Sequence, residues 1–257
     1  MKVGNAYAIA KKDISEVFSS ISIYGPMLGV PIFFALVLPV LTFYVAIHAA
    51  PSLAARLVPA LTSSTNIKSL SFMAFFSINV LGPIFLTMPI LTASVIAADS
   101  FAGEKERKTS ESLLSTPVSI PELMLGKILA SLIPTIVLTF AVFGIYGYII
   151  NILAYSAFGT YVLPTPAWIM MLFTSPFLAI VAIGVVVIIS SHVKGVKEAQ
   201  QISTLLVLPI LIMPFIAIMG VASMNVLFFA YLMAFLALVS AAVLYVGIKW
   251  FKKESIL

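Results

Sequence analysis

Six long apolar stretches, separated by polar segments, dominate the pattern of this chain. They cover about 24–47, 71–98, 122–150, 167–190, 202–219 and 226–248. Each has the roughly 17–25 residues that a helix needs to cross the hydrocarbon layer of a membrane. The fifth contains Pro209 and Pro214. It is therefore a candidate for a broken helix, with a second half that re-enters the membrane instead of crossing it.

Residues 1–22 show a different, amphipathic pattern. On a helical wheel one arc is apolar and the other polar; the apolar arc holds Tyr7, Ala10, Ile14, Val17, Phe18 and Ile21, and the polar arc holds Lys11, Lys12, Ser15, Glu16 and Ser19. This pattern predicts a helix that lies in the membrane interface. The alternative is a solvated helical lead-in to the first span.

Composition supports a membrane protein. The chain has 257 residues, of which 62% are hydrophobic and 9% charged, whereas soluble domains carry roughly 25% charged residues. We therefore expect an all-α polytopic protein, with residues 1–257 forming one transmembrane domain in contact with membrane lipid. The chain has no cysteine, which excludes disulfides and thiol chemistry.

The basic residues orient the spans. Two of them, Arg56 and Lys68, fall in the segment between the first and second spans. The other twelve fall on the opposite side: Lys2, Lys11, Lys12, Lys105, Arg107, Lys108, Lys127, Lys194, Lys197, Lys249, Lys252 and Lys253. Because cytoplasmic loops carry the excess of Lys and Arg, both termini are predicted to be cytoplasmic. The net charge of +5 is thus a topology signal, and we expect no nucleic-acid partner.

Several chemistries are disfavoured by what the spans contain. No charged residue falls in the middle of a span, which argues against a proton-coupled carrier or an intramembrane protease. His48 and His192 lie on opposite faces of the predicted topology, so no metal site is expected. Gly126 and Lys127 resemble the end of a phosphate-binding loop, but Pro121 and Ile128 stand at positions that the loop requires to be Gly and Ser or Thr. If ATP and Mg²⁺ are used, another chain must bind them.

The longest internal polar segment runs from 99 to 127 and holds five of the nine acidic residues. Its end carries a capping-box pattern, Ser119 with Glu122, before the third span. A helix over 104–115 would have acids in its first turn and Leu113 and Leu114 near its end. Such a helix is too polar for lipid and too apolar at its tip for water, which favours docking into a partner. The alternative is an ordinary solvated loop.

The same segment resembles the cytoplasmic signature of ABC-2 type transporter permeases, in the drug- and sodium-efflux branch. The matching positions are Glu104, Glu106, Thr109, Glu111, Leu113, Leu114, Thr116, Pro117, Val118, Ser119, Glu122, Leu123, Leu125, Gly126 and Lys127. Lys108 replaces the glycine that the signature usually has before its threonine. A second patch, 191–209, resembles the loop before the fifth span of that branch.

The resemblance implies an ABC-2 type exporter fold and an exporter permease in the plasma membrane of a prokaryote, paired with a second permease subunit as a homodimer or heterodimer. Segment 99–121 would be the cytoplasmic coupling segment, docking into a separate ATPase subunit. The implied coupling residues are Glu104, Glu106, Arg107, Thr109, Glu111, Leu113, Leu114 and Pro117. Polar side chains that could line a pathway are Asn79, Thr87, Thr92, Thr135, Thr139 and Tyr146. The substrate stays open among drug, lipid, peptide and ion. A membrane scaffold or immunity protein that transports nothing is the alternative, and a secondary carrier is a weaker one.

Overall fold

Long helices make up nearly all of the structure, a computed structural model that describes residues 3–19, 21–48, 65–107, 119–190, 192–193, 195–219 and 224–254. Six of its helical segments are long and apolar enough to cross a membrane; they are Met27–His48, Ser69–Glu106, Pro121–Phe158, Pro166–Ser190, Val196–Ile218 and Val226–Gly247. The described residues contain no strand. The predicted all-α class with six spans is therefore confirmed.

The helices are numbered in chain order. They are α1 (Val3–Ser19), α2 (Ile21–His48), α3 (Thr65–Phe76), α4 (Gly82–Ala98), α5 (Glu104–Glu106), α6 (Ile120–Phe158), α7 (Pro166–Ser190), α8 (Val196–Thr204), α9 (Val207–Ile218) and α10 (Val226–Glu254). Two π-helical turns, π1 (Ser77–Leu81) and π2 (Asp99–Gly103), join α3, α4 and α5 into one continuous helix. This continuous helix contains the second span.

The turn π1 accommodates a proline. The backbone N–H of Gly82 donates to the carbonyl of Ser77, five residues earlier, and Pro83 follows with no N–H to donate. A proline in a regular helix removes a hydrogen bond and clashes with the preceding turn. The wider π turn relieves that conflict, so the second span continues past Pro83.

Helix α4 lies at the centre of the bundle. It packs against α6, α7, α8 and α9, and most of its side chains are buried. Four buried aromatic side chains join α4 to α6 and α7; they are Phe85, Phe143, Tyr146 and Trp168, with ring centroids 4.7–5.9 Å apart. The Tyr146 hydroxyl also hydrogen-bonds the Ser77 hydroxyl at 2.7 Å.

The fifth span is broken but still crosses. Helices α8 and α9 are separated at Leu205–Leu206. Helix α8 contacts π2 at one end of the second span, and α9 contacts π1 at the other end. The 17 residues of α4 separate the two π turns, which corresponds to about 25 Å of helix, close to the thickness of a hydrocarbon layer. The expected break is present, and the contacts of the two halves with opposite ends of the second span favour crossing over re-entry.

Helix α1 packs against α6 more closely than its amphipathic pattern predicts. Ala6, Ala10, Asp13 and Val17 form its buried face. A Cβ on Gly126 of α6 would lie 2.8 Å from the backbone oxygen of Ala6, so only glycine permits this approach. The predicted apolar arc is therefore divided. Ala10 and Val17 contact the protein, while Tyr7, Phe18 and Ile21 are exposed beside them.

This division separates the effects of two neighbouring substitutions. Phe18→Asp is expected to weaken membrane contact of α1, because Phe18 is on the exposed apolar flank. Val17→Asp should instead destabilise the fold, because Val17 is buried with Met27 and Ile96. Ser15→Asp should change neither the membrane contact of α1 nor the stability of the fold. The measurement is quenching of a fluorophore at residue 14 by spin-labelled lipid, with thermal stability measured in parallel. Equal quenching in Phe18→Asp and Ser15→Asp would show that α1 stands in water.

Several predicted loop boundaries were wrong. Residues 99–106 continue the second span as helix, 151–158 continue α6, and 196–201 belong to α8. In each case polar residues were taken as helix ends. Asp99 and Glu104 are paired with Arg107 and Lys127, and Lys197 and Glu198 lie on the exposed face of α8, so polar residues at these positions do not end a helix. The true stop after α6 is Gly159, whose left-handed φ of 70° closes the helix with a bond from its N–H to the carbonyl of Tyr155.

Candidate functional site

The predicted coupling residues divide into a described and an undescribed group. Glu104, Glu106 and Arg107 follow π2 at the end of the second span. The remaining ones, Thr109, Glu111, Leu113, Leu114 and Pro117, lie outside the described residues. The structure therefore shows how the start of the coupling segment is held against the bundle. We call the end of the bundle that carries Glu104 its charged end.

A buried lysine organises the charged end. Lys127 of α6 is 2% exposed, and its ammonium lies 2.6 Å from Glu104 Oε1 and 2.5 Å from the carbonyl oxygen of Ser100, to which it donates. The ring of Phe101 lies 5.3 Å away, close enough for a cation–π contact. Lys127 belongs to the polar segment 99–127, but it docks inside this chain, where it is buried and paired.

The cluster also reaches α1. Asp13 is 6% exposed; its carboxylate accepts a hydrogen bond from the Ser100 hydroxyl at 2.8 Å and lies 3.9 Å from the Lys127 ammonium. A charge at this depth is costly unless it is paired and hydrogen-bonded. Asp13 can therefore be buried in α1 because Ser100 donates a hydrogen bond to its carboxylate and Lys127 offsets its charge.

Arg107 closes the cluster from the solvent side. Its guanidinium donates to Asp99 Oδ1 at 3.0 Å and lies 3.8 Å from Glu16 of α1. The hydrogen bond to Asp99 raises the pKa of Arg107 above its usual value, which shows that the charged guanidinium is stabilised by this pair. We name this set the charge cluster: Asp13, Glu16, Asp99, Ser100, Glu104, Arg107 and Lys127.

Glu106 is turned toward a different helix. Its Oε2 accepts a hydrogen bond at 3.0 Å from the backbone N–H of Val196. Val196 is the first residue of α8. The two sequence patches that stood out, 104–127 and 191–209, therefore meet here. Together with Glu104 and Arg107, this contact joins the 104–107 turn to α1, α6 and α8.

The third span begins as its pattern predicts. The Glu122 carboxylate accepts a hydrogen bond from the backbone N–H of Ser119 at 3.3 Å, the reciprocal half of the capping box. Pro121 lies in the first turn, where it has no hydrogen bond to lose. Helix α6 thus has a defined start immediately after the undescribed residues 108–118.

The predicted pathway residues are all buried within the chain. Asn79 donates to the carbonyl of Phe75 at 3.0 Å and accepts from the backbone N–H of Met224 at 3.0 Å, which ties π1 to the start of α10. Thr87 and Thr135 bond to carbonyls of their own helices. These bonds are interhelix and intrahelix packing contacts, so lining a pathway stays a prediction for these residues.

Two buried hydroxyls and one open groove are further polar features of the bundle. Among the described residues, the Ser94 and Thr139 hydroxyl oxygens are buried without a hydrogen-bond partner. Separately, an open groove of about 290 Å³ runs between α4 and α8. Its lining residues are Leu91, Val95, Gln200, Gln201 and Thr204. The groove mixes apolar and amide groups, and sequence reasoning did not single out these residues.

Sequence reasoning also missed Asp13, Ser100 and Lys127 as a site. Ser100 lies 87 residues from Asp13 and 27 residues from Lys127 along the chain, so no local motif contains all three. One signal was available. An acid at the end of the second span and a base near the start of the third lie at matching depth when two consecutive helices run antiparallel.

Comparison with known families agrees with this architecture. A family model described as "ABC-2 family transporter protein" matches residues 7–247. The match begins in α1 and ends in α10, and it therefore includes the charge cluster and all six spans. Among curated proteins, none matches the chain significantly. The match covers far more than half of the chain, so this multi-pass membrane protein belongs to the ABC-2 transporter family.

Proposed function

We propose that this chain is the permease subunit of an ATP-driven exporter, and that its segment 104–118 docks into a separate ATPase subunit. A second permease subunit completes the pathway, and the charged end of the bundle faces the cytoplasm of a prokaryotic cell. ATP and Mg²⁺ bind to the ATPase subunit. Family membership supports the permease assignment. The docking, the pairing and the orientation are the proposal.

The observation that carries the proposal is the attachment of the 104–107 turn to three other elements. Glu104 is paired with Lys127 of α6, Glu106 with the start of α8, and Arg107 with Glu16 of α1. The Glu104–Lys127 pair is buried, and breaking it is costly because it leaves a charge without compensation. The contacts of Arg107 and Glu106 are exposed and weaker. A movement of residues 108–118 is therefore transmitted most strongly to the third span, and less strongly to α1 and the fifth span.

This attachment suits a two-state transporter. Closure of the ATPase subunits on ATP would displace the docked segment, and the connected helices would change from inward to outward access as a unit. No charged residue falls in the middle of a predicted span, and the ion pairs of the described residues lie at the charged end of the bundle. This distribution favours an apolar or amphipathic substrate over an ion. The groove between α4 and α8, with two glutamines and a threonine beside leucine and valine, supports the same substrate class.

Purification of the complex tests the function. The full chain, extracted from native membranes in mild detergent, is expected to retain an ATPase subunit and to show ATP hydrolysis after reconstitution. A chain that purifies alone under conditions that preserve its helices, with no associated hydrolysis, would favour a scaffold that transports nothing.

The proposed orientation predicts a labelling pattern. Because the chain has no cysteine, single cysteines at Ser63, Ser110 and Tyr155 are the only reactive thiols. In intact cells an impermeant reagent should label Ser63→Cys and Tyr155→Cys but not Ser110→Cys. The physical reason is the distribution of Lys and Arg, twelve to two. Labelling of Ser110→Cys without labelling of Ser63→Cys would reverse the orientation.

A further inference from the structure

The start of α8 lacks a cap of its own. Gly195 precedes the helix, and no side chain from that position bonds the free backbone N–H groups of the first turn. The Glu106 carboxylate supplies the acceptor from the end of the second span, 90 residues earlier. A carboxylate at a helix N-terminus is favoured by the helix dipole and forms a charge-assisted hydrogen bond.

The end of the second span and the start of α8 approach each other closely at this contact. A Cβ on Gly195 would lie 2.7 Å from Glu106 Oε2, so the carboxylate occupies the space that a side chain would take. A Cβ on Gly103 would lie 3.2 Å from Val196 Cγ2. Two glycines on opposite sides of the interface therefore allow the end of the second span and the start of α8 to touch.

Helix α8 is the first half of a broken helix. The separation at Leu205–Leu206 leaves α8 joined to α9 by a two-residue turn. Helix α8 contacts α4, α7 and π2, and α9 contacts α4 and π1. The turn allows α8 to tilt relative to α9, and the bond from Val196 to Glu106 links the first turn of α8 to the end of the second span.

We propose that Glu106 is a positioning residue that makes α8 follow the coupling segment when ATP is bound. This inference rests on the proposed function, since it requires an ATPase subunit that displaces segment 104–118. It differs from the role that the sequence resemblance implies for Glu106, which is contact with the ATPase itself. Glu106 instead acts within the permease, between the docked segment and the fifth span.

The variants isolate this contact. Glu106→Ala removes the acceptor, and Glu106→Gln keeps a carbonyl that can still accept from Val196. Gly195→Ala displaces the carboxylate without changing any charge, and its extended φ of −170° is accessible to alanine. Gly144→Ala is the matched control, because Gly144 is helical and has open space at its Cβ position.

The measurement uses the full chain reconstituted with its ATPase subunit. Spin labels on cysteines at Thr204 of α8 and Val137 of α6 report the distance between these helices, with and without ATP. Both positions are exposed. Binding of the ATPase subunit is measured on the same samples.

We expect an ATP-dependent distance change in the unmodified protein and in Gly144→Ala. In Glu106→Ala and Gly195→Ala the equilibrium constant for the shift should fall about tenfold, since one charge-assisted bond is lost. ATPase binding should stay intact in Gly195→Ala, which lies outside the docked segment. Glu106→Gln should recover part of the shift. The double variant Glu106→Ala/Gly195→Ala should be no worse than Glu106→Ala alone, because both changes remove the same contact.

Three results would overturn the inference. An unchanged distance shift in Glu106→Ala would show that α8 moves without this contact. Loss of ATPase binding in Gly195→Ala would show that this contact supports docking instead of moving α8. An additive double variant would mean that Gly195→Ala acts through something else. The proposed function fails separately, if the unmodified protein neither binds an ATPase subunit nor responds to ATP, and the inference then fails with it.

Discussion

Replacing Lys127 with methionine is expected to lower the free energy of unfolding by about 3–5 kcal/mol, because the substitution leaves buried carboxylates without their cation. Glu104 loses its partner at 2.6 Å, and Asp13 loses the ammonium at 3.9 Å. Methionine has a similar length and fits an apolar site, so the effect reports the lost charge more than lost packing. The measurement is denaturation in mixed micelles followed by tryptophan fluorescence, for which buried Trp168 is a reporter.

Two further variants make this prediction specific. Lys197→Met changes an exposed lysine of α8 and should leave stability within about 0.5 kcal/mol of the unmodified protein. The double variant Glu104→Gln/Lys127→Met should recover much of the loss, because it removes both charges of the closest pair. A Lys127→Met protein as stable as the Lys197→Met protein would show that the charge cluster does not hold the charged end together.

Leu113→Asp and Leu114→Asp are each expected to weaken binding of the ATPase subunit by at least about tenfold. Burial of one leucine contributes about 1.5–3 kcal/mol, and a carboxylate in its place adds a desolvation cost. Both leucines lie outside the described residues, so this prediction rests on the sequence and on the proposed function. Glu111→Lys should act in the same direction, since it reverses a charge beside them. The measurement is co-purification of the ATPase subunit with the full chain.

The control for these variants is Ser156→Asp, at an exposed position near the end of α6. It carries the same charge change at the opposite end of the bundle and should leave binding unchanged. Full ATPase binding in both leucine variants, with the fold intact, would remove segment 104–118 as the docking element.

The spans were predictable from the sequence because hydrophobicity over about 20 residues is a local property. The capping box at Ser119 and Glu122 was predictable for the same reason. The continuation of the second span through Asp99–Glu106 was not. Asp99 and Glu104 remain helical because Arg107 and Lys127 pair with them, and such pairs depend on how the helices pack.

The site was predictable only in part, for a related reason. The family signature marked Glu104, Glu106 and Lys127 but not the helix that each one contacts. Asp13 was assigned to neither arc of the amphipathic helix, and its burial depends on Ser100, 87 positions away. Glu106 and Val196 are 90 positions apart. Contacts across that distance have no signature in a single sequence.

The central claim is that segment 104–118 carries the ATPase subunit, and one measurement tests it most directly. In the cysteine-free chain, a single cysteine at Ser110 is labelled with a photoreactive group in inside-out membranes, and Tyr155→Cys receives the same label in membranes of the opposite orientation. Illumination is predicted to give a covalent adduct between Ser110→Cys and an ATP-binding subunit, and none from Tyr155→Cys. Absence of an ATP-binding subunit among the Ser110→Cys adducts, or an equal yield from Tyr155→Cys, would contradict the account.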